Sequence, residues 1–196
     1  RLGGTVVCVS SWNQKEQTSY AFKKADGIDL QDLLSITDRF GEIQKEKARE
    51  AGYEVLPGAR WLDQDVDILI PGALENQINA DNVESISSRV KIIAEGANGP
   101  TSPEADEVLH KRGVFMIPDL LANAGGVTCS YFEQVQSNSN YYWDREEVLS
   151  KLDLKMTDAF VAVADLARAR NLYMRDATYV IAVDRVARAC RDRGWV

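Results

Sequence analysis

The chain holds 196 residues, enough for one sizeable domain or two small ones, and 45% hydrophobic residues give it the composition of a folded globule in water. Its formal charge is -7, with Lys and Arg scattered except in the stretch Arg185 to Arg193, which excludes the concentrated basic face that nucleic-acid binding needs. No apolar run approaches the roughly 18 to 20 residues that span a bilayer, and Cys8, Cys129 and Cys190 show none of the paired spacings of zinc or redox motifs, so no membrane segment and no metal site are expected and a reduced, cytoplasmic setting is.

The chain opens on Arg1 rather than Met, which fits a fragment or a processed piece. "GGTVVCVSSW" (3–12) is a β-branched run entered through glycines, as expected of a strand buried on both faces. The polar stretch 13–24 reads as a loop. Residues 26–52 carry Ile28, Leu30, Leu33, Leu34 and Ile36, then a charged helical segment closing at Gly52. Short strands follow at "YEVLPG" (53–58), "VDILIPGAL" (66–74), "VKIIAEGANG" (90–99) and "GVFMIPDLLANAGG" (113–126), each ending in a Gly, Pro or Asn turn.

Between the last two lies a nearly complete helix specification. Ser102 caps, Pro103 suits the first position, Glu104 and Asp106 face the positive end of the helix dipole, and His110, Lys111 and Arg112 face the negative end before Gly113. That accounts for the single histidine, which receives no catalytic role. From Val127 the pattern stays helical to about residue 137, then passes a Ser/Asn-rich turn into two amphipathic helices that break near Asn171.

Apolar strands alternating with helices argue for a parallel sheet covered on both faces, with ligands bound beyond the carboxyl ends of its strands. Two turns at that edge draw notice. In "AEGANGPTSPEAD", Gly96 and Gly99 let backbone approach a ligand and Asn98 offers a carboxamide; a tight strand-to-helix turn explains the same glycines equally well. In "NAGGV", Asn123 could give a donor and an acceptor to a flat amide, and Ser130 shares a helix face with Val127. Turn punctuation before a buried helix is again a sufficient account of that stretch alone.

Taken together, "GTVVCVSS", "DILIPGALENQI", "KIIAEGANGPTSPEAD", "GVFMIPDLLANAGGVTCSYFE" and the terminal "RGW" resemble, in order and spacing, the nucleotide-binding domain of glutamate dehydrogenases, within the wider amino-acid dehydrogenases. The resemblance is weakest from Trp12 to Ala25. It implies a Rossmann-like, doubly wound α/β fold with a mostly parallel sheet, residues 1–137 forming a partial dinucleotide-binding domain and 138–196 helices that pack back on it and on a hinge. It implies an oxidoreductase that deaminates L-glutamate reversibly to 2-oxoglutarate and ammonia by hydride transfer to NAD or NADP. By the same resemblance, Ser11, Trp12, Pro71, Gly72, Ala73, Leu74, Asn98 and Asn123 would bind coenzyme, and Gly126, Val127 and Ser130 would face the amino acid. A homo-oligomer, commonly a hexamer, is the family's assembly, and cytoplasm or mitochondrial matrix its setting.

Two family elements are absent from these residues. The G-x-G-x-x-G turn would precede residue 1, with "RLGG" the tail of its helix, and its strand would be central, leaving a gap in the sheet. The substrate domain, with its catalytic lysines and aspartate, is also outside the chain, so no catalytic acid or base is assigned. The first strand ends in Ser11 and Trp12 with Lys15 nearby rather than in an acid, which leaves NAD and NADP both open. Trp12 reads either as stacking near an adenine or as a surface aromatic. The alternatives are a dehydrogenase for leucine, valine or phenylalanine, and a non-catalytic scaffold on the same domain.

Overall fold

The computed structural model describes residues 3–195, so the first two residues of the segment read as a helix tail, Arg1 and Leu2, lie outside the described residues. Two compact units are present. The first takes residues up to 66 together with 84–89; the second takes 67–83 and everything from 90 onward.

In the first unit, β1 (Cys8–Asn13), β2 (Thr18–Lys23) and β3 (Glu54–Pro57) form an antiparallel sheet in the order β1-β2-β3. The stretch expected to be a loop is therefore a hairpin, with Val9 opposite Phe22 and Ser11 opposite Tyr20. Its turn carries no glycine: Asn13 Oδ1 accepts from the Glu16 N–H at 2.7 Å, and Gln17 takes the left-handed conformation at φ 53°. Charged residues at both ends of β2 hide a strand whose Ala21 and Phe22 are buried. β1 alternates instead of burying both faces: Val9 packs inward while Trp12 is 51% exposed.

The helical stretch expected over 26–52 divides into α1 (Leu30–Ser35), capped by the Asp29 carboxylate on the N–H groups of Gln31 and Asp32, and α2 (Lys45–Glu50). Asp38 makes the break, its Oδ1 accepting from the N–H groups of Phe40 and Glu42 at 2.8 and 2.9 Å. Phe22, Ile36, Ile43, Ala48 and Tyr53 form the core of this unit, with Val9, Leu33 and Val55 against it.

In the second unit, β4 (Ile68–Leu69), β5 (Ile92–Ala94) and β6 (Phe115–Ile117) run parallel in chain order. α3 (Pro103–Lys111) returns the chain from β5 to β6 and follows its specification: Ser102 Oγ accepts from the Ala105 N–H at 3.4 Å, Pro103 opens the helix and His110 is exposed in the last turn. After β6 come α4 (Asp119–Ala122), α5 (Ala124–Ser139), α6 (Arg145–Arg170) and α7 (Met174–Asp192). Asn140 and Asn171 end α5 and α6 in the left-handed conformation that asparagine tolerates. Leu121 of α4, Val163 and Ala167 of α6, and Met174 and Ala177 of α7 make one apolar cluster, which ties the long helices to the sheet through Ile117.

The expected mostly parallel sheet is corrected accordingly: the strands form two three-stranded sheets, one antiparallel and one parallel. β1 and β3, the first two strands read from the sequence, share a sheet with β2 between them, because a hairpin gives β1 an antiparallel neighbour five residues away without a crossover.

Candidate functional site

Because β4, β5 and β6 are parallel, their carboxyl ends open on one edge, and the turns 70–74, 95–99 and 118–123 gather there. Backbone bonds lock the first two together: the Ala97 N–H donates to Pro71 O at 3.0 Å and the Asn76 N–H to Gly99 O at 2.9 Å. Gly96 permits this approach. A Cβ there would stand 3.3 Å from the Gly72 Cα, closer than packed carbons normally come, and at an ordinary 3.6 Å from Pro71 O. The third turn is tied to the second by Asp119, whose Oδ2 accepts from the Gly99 N–H at 2.8 Å.

This scaffold brings the two asparagines together. Asn123 Nδ2 donates to Asn98 Oδ1 at 2.7 Å. That bond uses the donor of one carboxamide and the acceptor of the other, and leaves the Asn123 carbonyl and the Asn98 amide as complementary groups for a third amide. Beside Asn98 lies an open groove of about 440 Å³ lined by Ala73, Leu74, Glu75, Gly96, Ala97 and Asn98. Pro71 is buried, whereas Gly72, Ala73 and Leu74 are exposed. On α5, Gly126, Val127 and Ser130 are all exposed, and space around Gly126 is open where a side chain would stand.

Sequence reasoning missed the group that holds this edge in place. Arg175, in the first turn of α7, donates from Nη2 to Glu95 Oε1 at 2.8 Å, from Nε to Asp106 Oδ2, and from Nη1 to Asp119 Oδ1 at 3.5 Å. Glu95 is wholly buried, and its other oxygen accepts from the Asp119 N–H at 2.8 Å. One guanidinium thus joins the turn after β5, the helix after it and the start of α4. Burial opposes the charge on Arg175, but hydrogen bonds to Glu95 and Asp106 outweigh it and hold the guanidinium above its ordinary range. Tyr173 beside it is pushed up by burial first and by Asp106 second.

Ser11 and Trp12 belong to the first unit. The Ser11 hydroxyl accepts from the Ile43 N–H at 3.2 Å and donates to Gly41 O at 3.4 Å, so it fastens the 38–43 turn to β1. The same turn delivers a carboxylate that the sequence places far from this strand: Glu42 accepts from Asn13 Nδ2 at 2.8 Å and from the Gln14 N–H at 3.1 Å. The end of β1 therefore carries an acid after all, supplied by the turn between α1 and α2.

With this geometry the chain was compared with known proteins. The family model described as Glutamate/Leucine/Phenylalanine/Valine dehydrogenase matches residues 2–194. The NAD-specific glutamate dehydrogenase of Clostridioides difficile is 42% identical over 201 residues, covering 100% of this chain and 45% of the relative. The crystal structure of glutamate dehydrogenase from Peptoniphilus asaccharolyticus superposes with a TM-score of 0.77 at 34% identity, over 99% of this chain and 42% of that one. The hetero-hexameric glutamate dehydrogenase from Thermus thermophilus, in its Leu-bound form, gives a TM-score of 0.74 at 25% identity over 88% of this chain and 39% of that one. The chain spans less than half the length of these relatives.

Proposed function

The chain belongs to the Glutamate/Leucine/Phenylalanine/Valine dehydrogenase family, and from that premise we propose that it is the coenzyme-binding portion of an NAD-dependent glutamate dehydrogenase. The observation that carries this reading is the 2.7 Å bond between Asn123 and Asn98 at the rim of the groove. Two carboxamides with complementary free groups suit the carboxamide of a nicotinamide ring. Asn98 is exposed and Asn123 half-buried, so solvent reaches the pair.

The residues present fit such a coenzyme. The exposed backbone of Gly72 to Leu74 would line its adenosine side, Asn98 and Asn123 would orient the ring, and Ser11 and Trp12 rest as coenzyme contacts on the family resemblance alone. When bound, the coenzyme would supply the hydride acceptor for the oxidative deamination of glutamate to 2-oxoglutarate and ammonia. The protein's part is to hold donor carbon and ring in contact. Gly126 leaves room for that approach, Val127 gives an apolar wall, and the Ser130 hydroxyl would bond the side-chain carboxylate of the substrate. The groups that polarise the carbonyl and carry protons belong to a substrate domain outside these residues.

NAD is favoured over NADP because the Clostridioides relative is NAD-specific. In this reading residues 1–137 carry the coenzyme and 138–196 pack back on the domain and hinge; the working assembly is a homohexamer in the cytoplasm.

The test is glutamate-dependent reduction of NAD by the full-length natural protein containing these residues, with leucine, valine and phenylalanine as competing substrates. Glutamate is expected to be preferred, with NAD preferred over NADP. Absence of coenzyme binding would leave only a scaffold, and a preference for an apolar amino acid would overturn the role given to Ser130.

A further inference from the structure

The Arg175 cluster has no part in the reading above, yet it touches every element that carries the two asparagines. Glu95 lies three residues before Asn98, and its Oε2 accepts from the Asp119 N–H at 2.8 Å. Asp119 lies four residues before Asn123 and receives the Gly99 N–H at 2.8 Å. Arg175 binds both carboxylates as well as Asp106 of α3. It is 18% exposed at the side chain, against 0%, 7% and 17% for Glu95, Asp106 and Asp119.

A planar guanidinium holds several carboxylates in fixed directions, which a single ammonium cannot do. The distances from Glu95 to Asn98 and from Asp119 to Asn123 are only a turn of chain each, so the relative position of the two carboxamides follows the relative position of the two acids. The strands beneath contribute little restraint, since β4 pairs with β5 through only two residues and β5 with β6 through three.

Resting on the coenzyme reading above, we propose that Arg175 is a positioning residue that sets the Asn98–Asn123 pair for the nicotinamide ring, so that α7 controls the geometry of the ring-binding end of the groove without touching it. Among the described residues, the adenosine side at 71–74 is bonded to this cluster only through the backbone of the 95–99 turn. Loss of Arg175 should therefore act on the nicotinamide half of the coenzyme and spare the other half.

The experiment compares Arg175→Lys with the wild type in the full-length natural protein, measuring binding of reduced NAD and of ADP-ribose, which lacks the nicotinamide. The lysine keeps the charge and loses the fork. Expected is about a tenfold loss of affinity for reduced NAD with ADP-ribose within about twofold, together with loss of any enhanced fluorescence of the bound dihydronicotinamide. Equal weakening of both ligands, or unchanged affinity for both with only a lower melting temperature, would overturn the proposal, since either marks a general structural role. If Arg175→Lys does not fold, Asp119→Asn decides by the same ratio. A wild type that binds neither ligand sinks the coenzyme reading itself, whereas a wild type that binds reduced NAD alongside an unaltered variant, or that binds reduced NAD no better than ADP-ribose, sinks only the role of Arg175 and its carboxamide pair.

Discussion

The two sheets of this chain solve the same problem differently. In the antiparallel unit, β1 and β2 pair over six residues, and the register is fixed by a turn of four residues between them. In the parallel unit the strands run for two or three residues each, and their order depends on bonds made outside the ladder, by the Pro71, Gly99 and Asp119 turns and by Arg175. Parallel strands need crossovers, so their alignment cannot be set locally. The difference teaches that the site-bearing edge of the parallel sheet is held by charge and by turns, whereas the antiparallel sheet is held by its own backbone and core.

If so, the most damaging single change should be Arg175→Met. It leaves Glu95, Asp106 and Asp119 as neighbouring carboxylates without their shared counter-charge, at a cost of roughly 3–5 kcal/mol, read as a fall in the urea midpoint. A change of under 1 kcal/mol would break the comparison. In the antiparallel unit the corresponding weak point is steric. A Cβ at Gly58 would lie 1.8 Å from Ser19 Oγ and 2.7 Å from Ser19 O, so Gly58→Ala should cost about 1–3 kcal/mol while leaving affinity for reduced NAD unchanged.

Smaller effects sharpen the picture. Ser102→Ala removes the cap of α3 and should lower stability by about 1 kcal/mol, measurable as faster hydrogen exchange at the Ala105 amide. The smallest effect concerns Cys8, whose thiol is pushed from 9.0 up to about 11, chiefly by burial, with Lys23 opposing and Asp63 and Glu54 adding to it. The folded state disfavours the thiolate, so this contribution is fully present below pH 9.0 and is lost as the pH rises towards about 11. A Cys8→Ala variant should show a shallower fall in stability across that window in pH-dependent denaturation.

Much of this was legible along the chain. Ser102, Pro103 and the charges of α3 specified that helix and its direction, and the break at Asn171 was readable because left-handed turns leave a composition mark, whereas the stretch 113–126, read as one strand ending in a turn, holds β6, α4 and the start of α5. The two asparagines stood out as well, since glycine close to a carboxamide is a local pattern, though only Asn98 follows a strand and Asn123 joins α4 to α5. β2 was not legible, because Lys and Glu flank it and its turn has no glycine; neither was the division of 26–52 by Asp38, whose side chain mimics a turn only once the backbone has bent around it.

What sequence alone determined, then, were the caps, the turns and the identity of the groups at each strand end, because those features act over three or four residues and each residue type has its own conformational cost. What only the tertiary structure decided was which of these groups meet. Arg175 and Glu95 are 80 residues apart, and Asn13 and Glu42 are 29 apart. No spacing rule joins such pairs: their contact follows from how the sheets and helices pack, and a buried charge finds its partner only after packing has removed the water that would otherwise have served both.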